Sequence, residues 1–339
     1  MTHELKHIVQ KALALQDKGL RNVLATVVAL KGSSYRKPGV RMLICEDGQM
    51  VGAVSGGCVE RDIARQAQSV FQEGVPKVMT YDGRYRLGCE GLLYILIEPL
   101  FISKDLMTAF STCLKTRGPI EVTSFFAQKE AVSNDLGTII AFQKDSEFTL
   151  RPDFAPKGQE APQVFRQRME PCFRLLIFGG EHDAVQLSKM ASLLGWEVHV
   201  VTSVKDPKSP ADFPGAASVT AQAPELLDIQ LDDDTAVVLM NHNYVQDLKY
   251  ALQLEPHLPR YIGILGSRKR REKLEDDLFQ HKPDLNTELL ERIYSPAGLH
   301  IGSITPEEIA LSILAEILAV YRGVEATSLS SLPQKKTSS

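Results

Sequence analysis

The stretch Phe173-Arg174-Leu175-Leu176-Ile177-Phe178-Gly179-Gly180-Glu181-His182-Asp183-Ala184 decides the fold of the second half of the chain. Phe173–Phe178 has the length and composition of a buried strand, and two glycines end it before a new periodicity begins. Ala184, Leu187, Ala191 and Leu194 recur at helical spacing, Gly195 stops them, and Trp196–Val201 supplies the next apolar strand. Further strands fit Ala236–Met240 and Tyr261–Leu265, with helical segments after each. Apolar strands of this kind need cover on both faces, so the β-turn-α order predicts a doubly wound, mostly parallel sheet. The expected unit is a Rossmann-like α/β domain over residues 172–323. Its last helix has a complete start, with Thr305 as cap, Pro306 at the first helical position and Glu308 closing a capping box. Ile309, Ile313, Leu314, Ile317 and Leu318 should pack on the sheet, and Gly323 should end the helix.

Residues 1–151 read as a separate N-terminal α/β domain. Leu5, Ile8, Val9, Ala12 and Leu15 predict an opening helix up to Gly19. Asn22–Leu30 reads as a strand, and Arg41–Cys45 returns through Glu46-Asp47-Gly48 to Met50–Val54 as a hairpin. Val59, Ile63, Ala67, Val70 and Phe71 predict a helix ending before Gly74, with strands at Lys77–Tyr81 and Leu92–Ile97. A helix near Asp105–Lys115 precedes strands at Glu121–Phe126, Thr138–Phe142 and Glu147–Leu150. Pro152–Pro162 carries Pro, Gly and charge without periodicity, so residues 152–171 are expected to be a linker. The Ser/Thr/Lys-rich end has little to bury, and residues 324–339 are expected to be a disordered tail.

The length of 339 residues suits two domains, each able to bury its own core. Lys and Arg total 38 against 42 Asp and Glu, so a net charge of -4 offers no global attraction for nucleic acid or anionic lipid. The run Arg268-Lys269-Arg270-Arg271 is local and lies among Glu272, Glu275, Asp276 and Asp277, which reads as a solvated mixed-charge helix face. Gly91–Ile97 and Ile309–Val320 are too short for a bilayer, which needs about 20 apolar residues. The N-terminus lacks the pattern of a secretory signal, and the five cysteines form no C-x-x-C pair. A reduced, cytoplasmic setting is the expectation. No nucleophile elbow or Walker lysine suggests a hydrolase or nucleoside triphosphatase.

Three segments can carry chemistry. The Gly179–Gly180 turn stands where a dinucleotide fingerprint would stand, but Glu181 and Ala184 occupy its second and third glycine positions, and a carboxylate there would repel pyrophosphate. The acid expected after the next strand is replaced by Thr202. The second segment, Gly263-Ile264-Leu265-Gly266-Ser267-Arg268, brings glycines, a hydroxyl and a guanidinium to another helix entrance, fit either for an anion or simply for a basic first turn. The third combines Gly32-Ser33-Ser34-Tyr35-Arg36-Lys37-Pro38-Gly39 with Ser55-Gly56-Gly57-Cys58-Val59-Glu60. Ser34, Arg36 and Lys37 offer a hydroxyl and cations for a phosphate or polar heterocycle. A helix start at Cys58 would favour thiolate, leaving this residue open as nucleophile, sulfur carrier, soft-metal ligand or packing residue.

Cys89 lies in a second glycine-flanked setting, Arg86-Leu87-Gly88-Cys89-Glu90-Gly91, whereas Cys45, Cys113 and Cys172 read as packing residues. His182 and His242 both follow strands and can meet at one end of the sheet, where they would contact a ligand, steer protons or serve as structural caps. No short motif links them as zinc ligands.

Together these segments resemble the XdhC/CoxI family, the accessory proteins of xanthine dehydrogenase and related molybdenum hydroxylases. The resemblance covers most of the chain. It rests on Gly32–Gly39, Ser55–Glu60, Arg86–Gly91 with Ile97-Glu98-Pro99, Phe178–His182, Ile264–Arg268, and Ser295-Pro296-Ala297-Gly298-Leu299-His300-Ile301-Gly302 followed by Thr305–Glu316. It implies a carrier or insertion factor that binds molybdenum cofactor as cargo, protects it while a cysteine desulfurase exchanges an oxo ligand for sulfur, and delivers it to a molybdenum hydroxylase client. By the same resemblance, Cys58 and Cys89 match family cysteines, with Cys58 as a molybdenum contact, and Arg36, Lys37 and Ser267 contact polar groups of the cofactor. The glycines Gly56, Gly57, Gly179, Gly180 and Gly266, with Ser34, His182, His242 and Arg268, complete the expected cofactor-binding set.

The sequence departs from the family pattern at Glu181, at Thr202, at Glu90 and in Asn241-His242-Asn243. An NAD(P)-dependent oxidoreductase is the alternative from another class, motivated by the β-turn-α pattern of the second half. A noncatalytic adaptor retaining an ancestral cleft is a third reading. A homodimer would be a reasonable way to join separated surfaces.

Overall fold

The structure, a computed structural model, describes residues 1–32, 37–54, 57–83, 91–142, 146–155, 163–227 and 230–331, apart from the Cys58 side chain. The chain divides into two compact units, Met1–Pro171 and Cys172–Ser339.

In unit 1, α1 (Thr2–Gln16), β1 (Asn22–Lys31), β2 (Arg41–Cys45), β3 (Met50–Val51), α2 (Cys58–Glu73), β4 (Lys77–Asp82) and β5 (Leu92–Leu100) come first. They are followed by α3 (Lys104–Thr116), β6 (Ile120–Phe126), β7 (Ala131–Val132), β8 (Gly137–Ala141), β9 (Glu147–Thr149) and β10 (Gln163–Met169). One sheet has the order β3-β2-β1-β5-β4-β7 and a second the order β10-β6-β8-β9. Alternation along β1 sends Val23, Ala25 and Val27 to a core shared with Val59, Ile63 and Ala67 of α2. Leu24 faces the other way, into a core shared with Ile8 of α1, Phe110 of α3 and Val122 of β6. The first sheet is therefore covered on both faces.

Residues 152–171 are not simply a linker. Gln163–Met169 pairs antiparallel with β6 along its whole length, from Gln163 opposite Phe126 to Met169 opposite Ile120. Its outward polar residues concealed a strand whose partner is distant in the sequence.

Unit 2 comprises β11 (Arg174–Phe178), α4 (His182–Leu193), β12 (Glu197–Thr202), β13 (Ser218–Ala221), β14 (Thr235–Leu239) and α5 (Tyr244–Leu254). After them come β15 (Tyr261–Ile264), α6 (Arg268–His281), the short α7 (Glu288–Glu291), β16 (Ile293–Tyr294) and α8 (Pro306–Arg322). The sheet order is β13-β12-β11-β14-β15-β16, and every pairing in it is parallel. This is the Rossmann-like doubly wound order, which reverses direction between β11 and β14 and opens a crevice at their carboxyl ends.

The unbroken apolar strands have the expected cause. Leu175 and Ile177 face α4 and α8 through Leu187, Ile313 and Ile317, while Leu176 and Phe178 face α5 and α6 through Leu254 and Leu278. Each large aliphatic side chain buried this way contributes about 1.5–3 kcal/mol. Leu318, expected in the same stripe, instead remains 41% exposed. Thr305 and Glu308 form the reciprocal capping box, and Gly323 ends α8 in the left-handed conformation. In the expected tail, Leu329–Ser331 forms one turn of 3-10 helix, and residues 332–339 lie outside the described residues.

Candidate functional site

In unit 1, Ser34, Arg36, Gly56 and Cys89 lie outside the described residues, and Cys58 is placed by its backbone alone, as the first residue of α2. Gly57 precedes it with φ +117, and its N–H donates to Glu60 Oε2 at 2.7 Å. A carboxylate thus already occupies this helix entrance, and the field that would favour an anion there is partly offset. Lys37 is exposed.

The far base of the Gly32–Gly39 loop is fixed by residues that carried no motif. Arg41, buried on β2, donates through Nη1 to Gly39 O at 2.9 Å and to Gln167 Oε1 at 2.8 Å. Gly39 has φ +98, and a Cβ there would stand 2.5 Å from Gln167 Nε2. Only glycine suits that turn.

Two of the three thiols expected to pack are buried. Cys45 and Cys113 are buried, and burial pushes both thiols up from their ordinary value. Cys172 is half-buried.

In unit 2, β11 and β14 deliver Glu181 and His242 to the crevice where the sheet order reverses. His242 Nε2 stands 3.8 Å from Glu181 Oε2, with both side chains substantially exposed. His182 begins α4, and its Nε2 lies 3.3 Å from Gln186 Nε2. Gly179 has φ +152 and a Cβ there would meet Met240 O at 2.9 Å, so this glycine serves close backbone approach between β11 and β14. Over Gly180 lies the stem of Lys208, whose Cγ would be 3.3 Å from an added Cβ. Thr202, 1% exposed, donates to Thr220 O at 3.3 Å and accepts from Lys208 N at 3.3 Å. The crevice therefore presents a carboxylate and a self-satisfied hydroxyl where a dinucleotide needs open amides and a ribose-binding acid.

The next helix entrance differs. Gly266 has φ +147, Ser267 caps α6 with its backbone while its hydroxyl makes no cap bond, and Arg268 is exposed without an ion pair among the described residues. The first amides of α6 and Arg268 can together receive an anion.

Arg270 leaves the solvated face that the basic run suggested. Its Nη2 donates to Asp247 Oδ2 at 2.5 Å and to Asn241 O at 3.2 Å, and Asn241 Nδ2 donates to Asp247 Oδ1 at 2.8 Å. Burial pushes the Asp247 carboxyl up, against the opposing effects of Asn241 and Arg270. This network ties the Asn241-His242-Asn243 turn to α6.

Beside the α6 entrance lies a cavity of about 640 Å³ that includes Arg268, Tyr294, Ser295 and Glu316. Its walls come from α6, α7, β16 and α8, elements that no contiguous motif joins. Among the described residues there is no cluster of His, Cys, Asp and Glu that could hold a metal ion, and no helix is long and apolar enough to cross a membrane.

These features define a two-unit α/β protein with a Rossmann-type sheet whose dinucleotide turn has diverged. The chain belongs to the XdhC and CoxI family: residues 15–82 match that family and residues 175–317 match the XdhC Rossmann domain. It is 30% identical over 331 residues to a probable xanthine dehydrogenase subunit of Bacillus subtilis (strain 168), covering 92% of this chain and 96% of the relative. It is 26% identical over 329 residues to the "Molybdenum cofactor insertion chaperone PaoD" of Escherichia coli (strain K12), covering 94% and 90% respectively. A crystal structure of a xanthine dehydrogenase from Bacillus halodurans matches with a TM-score of 0.74 at 29% identity, over 96% of this chain and 98% of that one.

Proposed function

We propose that this protein binds molybdenum cofactor as cargo and hands it to a xanthine dehydrogenase-like molybdenum hydroxylase. The observation that carries the reading is the match to the insertion chaperone PaoD over 94% of the chain. The Gly266–Arg268 entrance supports it, since the cofactor has a terminal phosphate that amides and a guanidinium would hold. Lys37 and the neighbouring Ser34 and Arg36 supply further polar contacts. Cys58 is the leading thiol for contact with the metal or with sulfur during sulfuration, and Cys89 is the second. A cysteine desulfurase would supply that sulfur, in the reduced cytoplasm where free thiols persist. The protein acts as a carrier rather than a stand-alone enzyme, and a homodimer is an arrangement compatible with that role.

Nicotinamide binding has little to support it, because Glu181 and Thr202 occupy the two positions that a dinucleotide depends on most. The test is anaerobic gel filtration of the purified chain with intact cofactor, followed by assay of retained molybdenum and pterin. Stoichiometric retention, reduced in Cys58→Ala and Arg268→Ala, is the expected result. No retention, with saturable NAD(P) binding instead, would overturn the reading.

A further inference from the structure

We propose that the cavity beside the α6 entrance receives the 2-amino-4-oxopyrimidine edge of a fused heterocycle, with Glu316 accepting its N–H groups and Ser295 completing the contact. The edge is common to pterins and guanine. The cargo reading above is what favours a pterin, and the proposal rests on it to that extent.

The cavity, about 640 Å³, has the size of a small-molecule site and is lined by α6 residues that follow β15 and by Tyr294 and Ser295 at the end of β16. Glu316 projects from α8 and is held in place: its Oε2 accepts from Tyr261 Oη at 2.6 Å and from Gly298 N at 2.8 Å. Its Oε1 takes no hydrogen bond from any described residue. A fixed carboxylate with one open oxygen suits a ligand that brings donors.

Ser295 is the second, independent observation. It lines the cavity, is only 7% exposed, and its Oγ is buried with no hydrogen-bond partner among the described residues. Leaving such a hydroxyl unmatched costs about 1–3 kcal/mol, which a ligand's polar edge would recover once the Ser295 side chain turns its Oγ toward the cavity. The wall next to it is flat and rigid, because the Tyr294 ring stacks on Tyr261 with centroids 4.6 Å apart and planes 19° apart.

Charge decides which part of a ligand enters. Glu272, Glu275 and Glu291 line the cavity with Glu316, while the Arg271 guanidinium is committed to Glu275 at 2.8 Å. A phosphate would be repelled from the end of the cavity lined by these glutamates, whereas an amino group and a ring N–H would be attracted there. An anionic substituent belongs at the Arg268 end of the cavity, beside the α6 amides.

The test is titration of the full chain with free pterin, followed by its fluorescence, with lumazine, which has a carbonyl in place of the 2-amino group, and GMP as second and third probes. Saturable pterin binding is expected, about ten- to a hundredfold weaker for lumazine and in Glu316→Gln, the value of losing one charged hydrogen bond. Ser295→Ala should weaken binding severalfold with no loss of folding, since its hydroxyl makes no internal bond. Competition in which GMP displaces pterin would assign the same edge to a guanine nucleotide. Binding of neither, or binding indifferent to both substitutions, would overturn the proposal. Intact cofactor retained equally by wild type and Glu316→Gln would overturn the cavity assignment while leaving the cargo reading standing. Pterin binding that depends on Glu316 in a protein unable to retain the cofactor would overturn the cargo reading alone.

Discussion

Asp247 on α5 holds the Arg270 guanidinium on α6 at 2.5 Å, with the Asp247 side chain 1% exposed and that of Arg270 23% exposed. Removing one partner of such a pair strands the other charge in a poorly hydrated place. Arg270→Ala should destabilise unit 2 by about 3 kcal/mol or more, whereas exposed Arg268→Ala should stay within about 0.5 kcal/mol. Urea unfolding of both variants measures this, and equal effects would refute the role assigned to the pair.

Gly179→Ala should also destabilise unit 2. The residue has φ +152 and its new Cβ would lie 2.9 Å from the Met240 carbonyl oxygen, so the backbone of β11 or β14 must shift. A cost of about 1–3 kcal/mol is expected from the backbone conformation alone. Thermal unfolding indistinguishable from wild type would contradict the close approach described for this turn.

Glu98 makes the stability of unit 1 depend on pH. Fully buried on β5, it accepts from Thr138 N at 2.9 Å and from Thr138 Oγ1 at 2.5 Å. Burial pushes its carboxyl up to about 7 from an ordinary 4.5, opposed by the Thr138 hydrogen bonds and by the charges of Arg41 and Arg151. The folded state therefore holds this proton after the unfolded chain has released it. The contribution is fully present below about pH 4.5 and is lost as pH rises through 7, amounting to about 3 kcal/mol at most. Glu98→Gln, which can still accept from Thr138 N and donate to its hydroxyl, should abolish this slope in chemical denaturation run from pH 4.5 to 8.

Thr305→Ala should cost about 1 kcal/mol through loss of one half of the α8 capping box. Its hydroxyl accepts from Glu308 N at 3.3 Å, while Glu308 Oε2 returns to Thr305 N at 3.0 Å. Amide exchange at the first turn of α8 should rise in the variant, and unchanged protection there would argue against the cap.

The central strands of unit 2 were legible because residues of both parities, such as Leu175 and Leu176, are buried against different helices. Ser218–Ala221 and the two-residue strand Ile293–Tyr294 were not, since an outer or very short strand needs no apolar run. The strand Gln163–Met169 was hidden by its polar outer positions, and its partner is the strand Ile120–Phe126. The turn and helix start at Gly266–Arg268 were legible because their residues are contiguous. The bonds of Arg41 to Gln167 and of Arg270 to Asp247 were not, because a basic side chain on a strand or in a charged run gives no sign of which way it turns. Ser295 belongs to a contiguous motif, but its meeting with Glu316 around one cavity depends on the return of α8.

The four-stranded sheet of unit 1 ends in β10, whose other edge pairs with no described strand. Along that strand Arg166 and Arg168 are exposed, and Arg168 is held by Glu170 at 2.8 Å and Glu121 at 3.4 Å. A foreign strand adding there would have to accommodate both guanidinium groups and the carboxylates that hold Arg168, charges of the kind natural sheets use to discourage fibril-like stacking. The polar residues that disguised this strand in the sequence are thus of the kind that disfavours edge-to-edge pairing between copies.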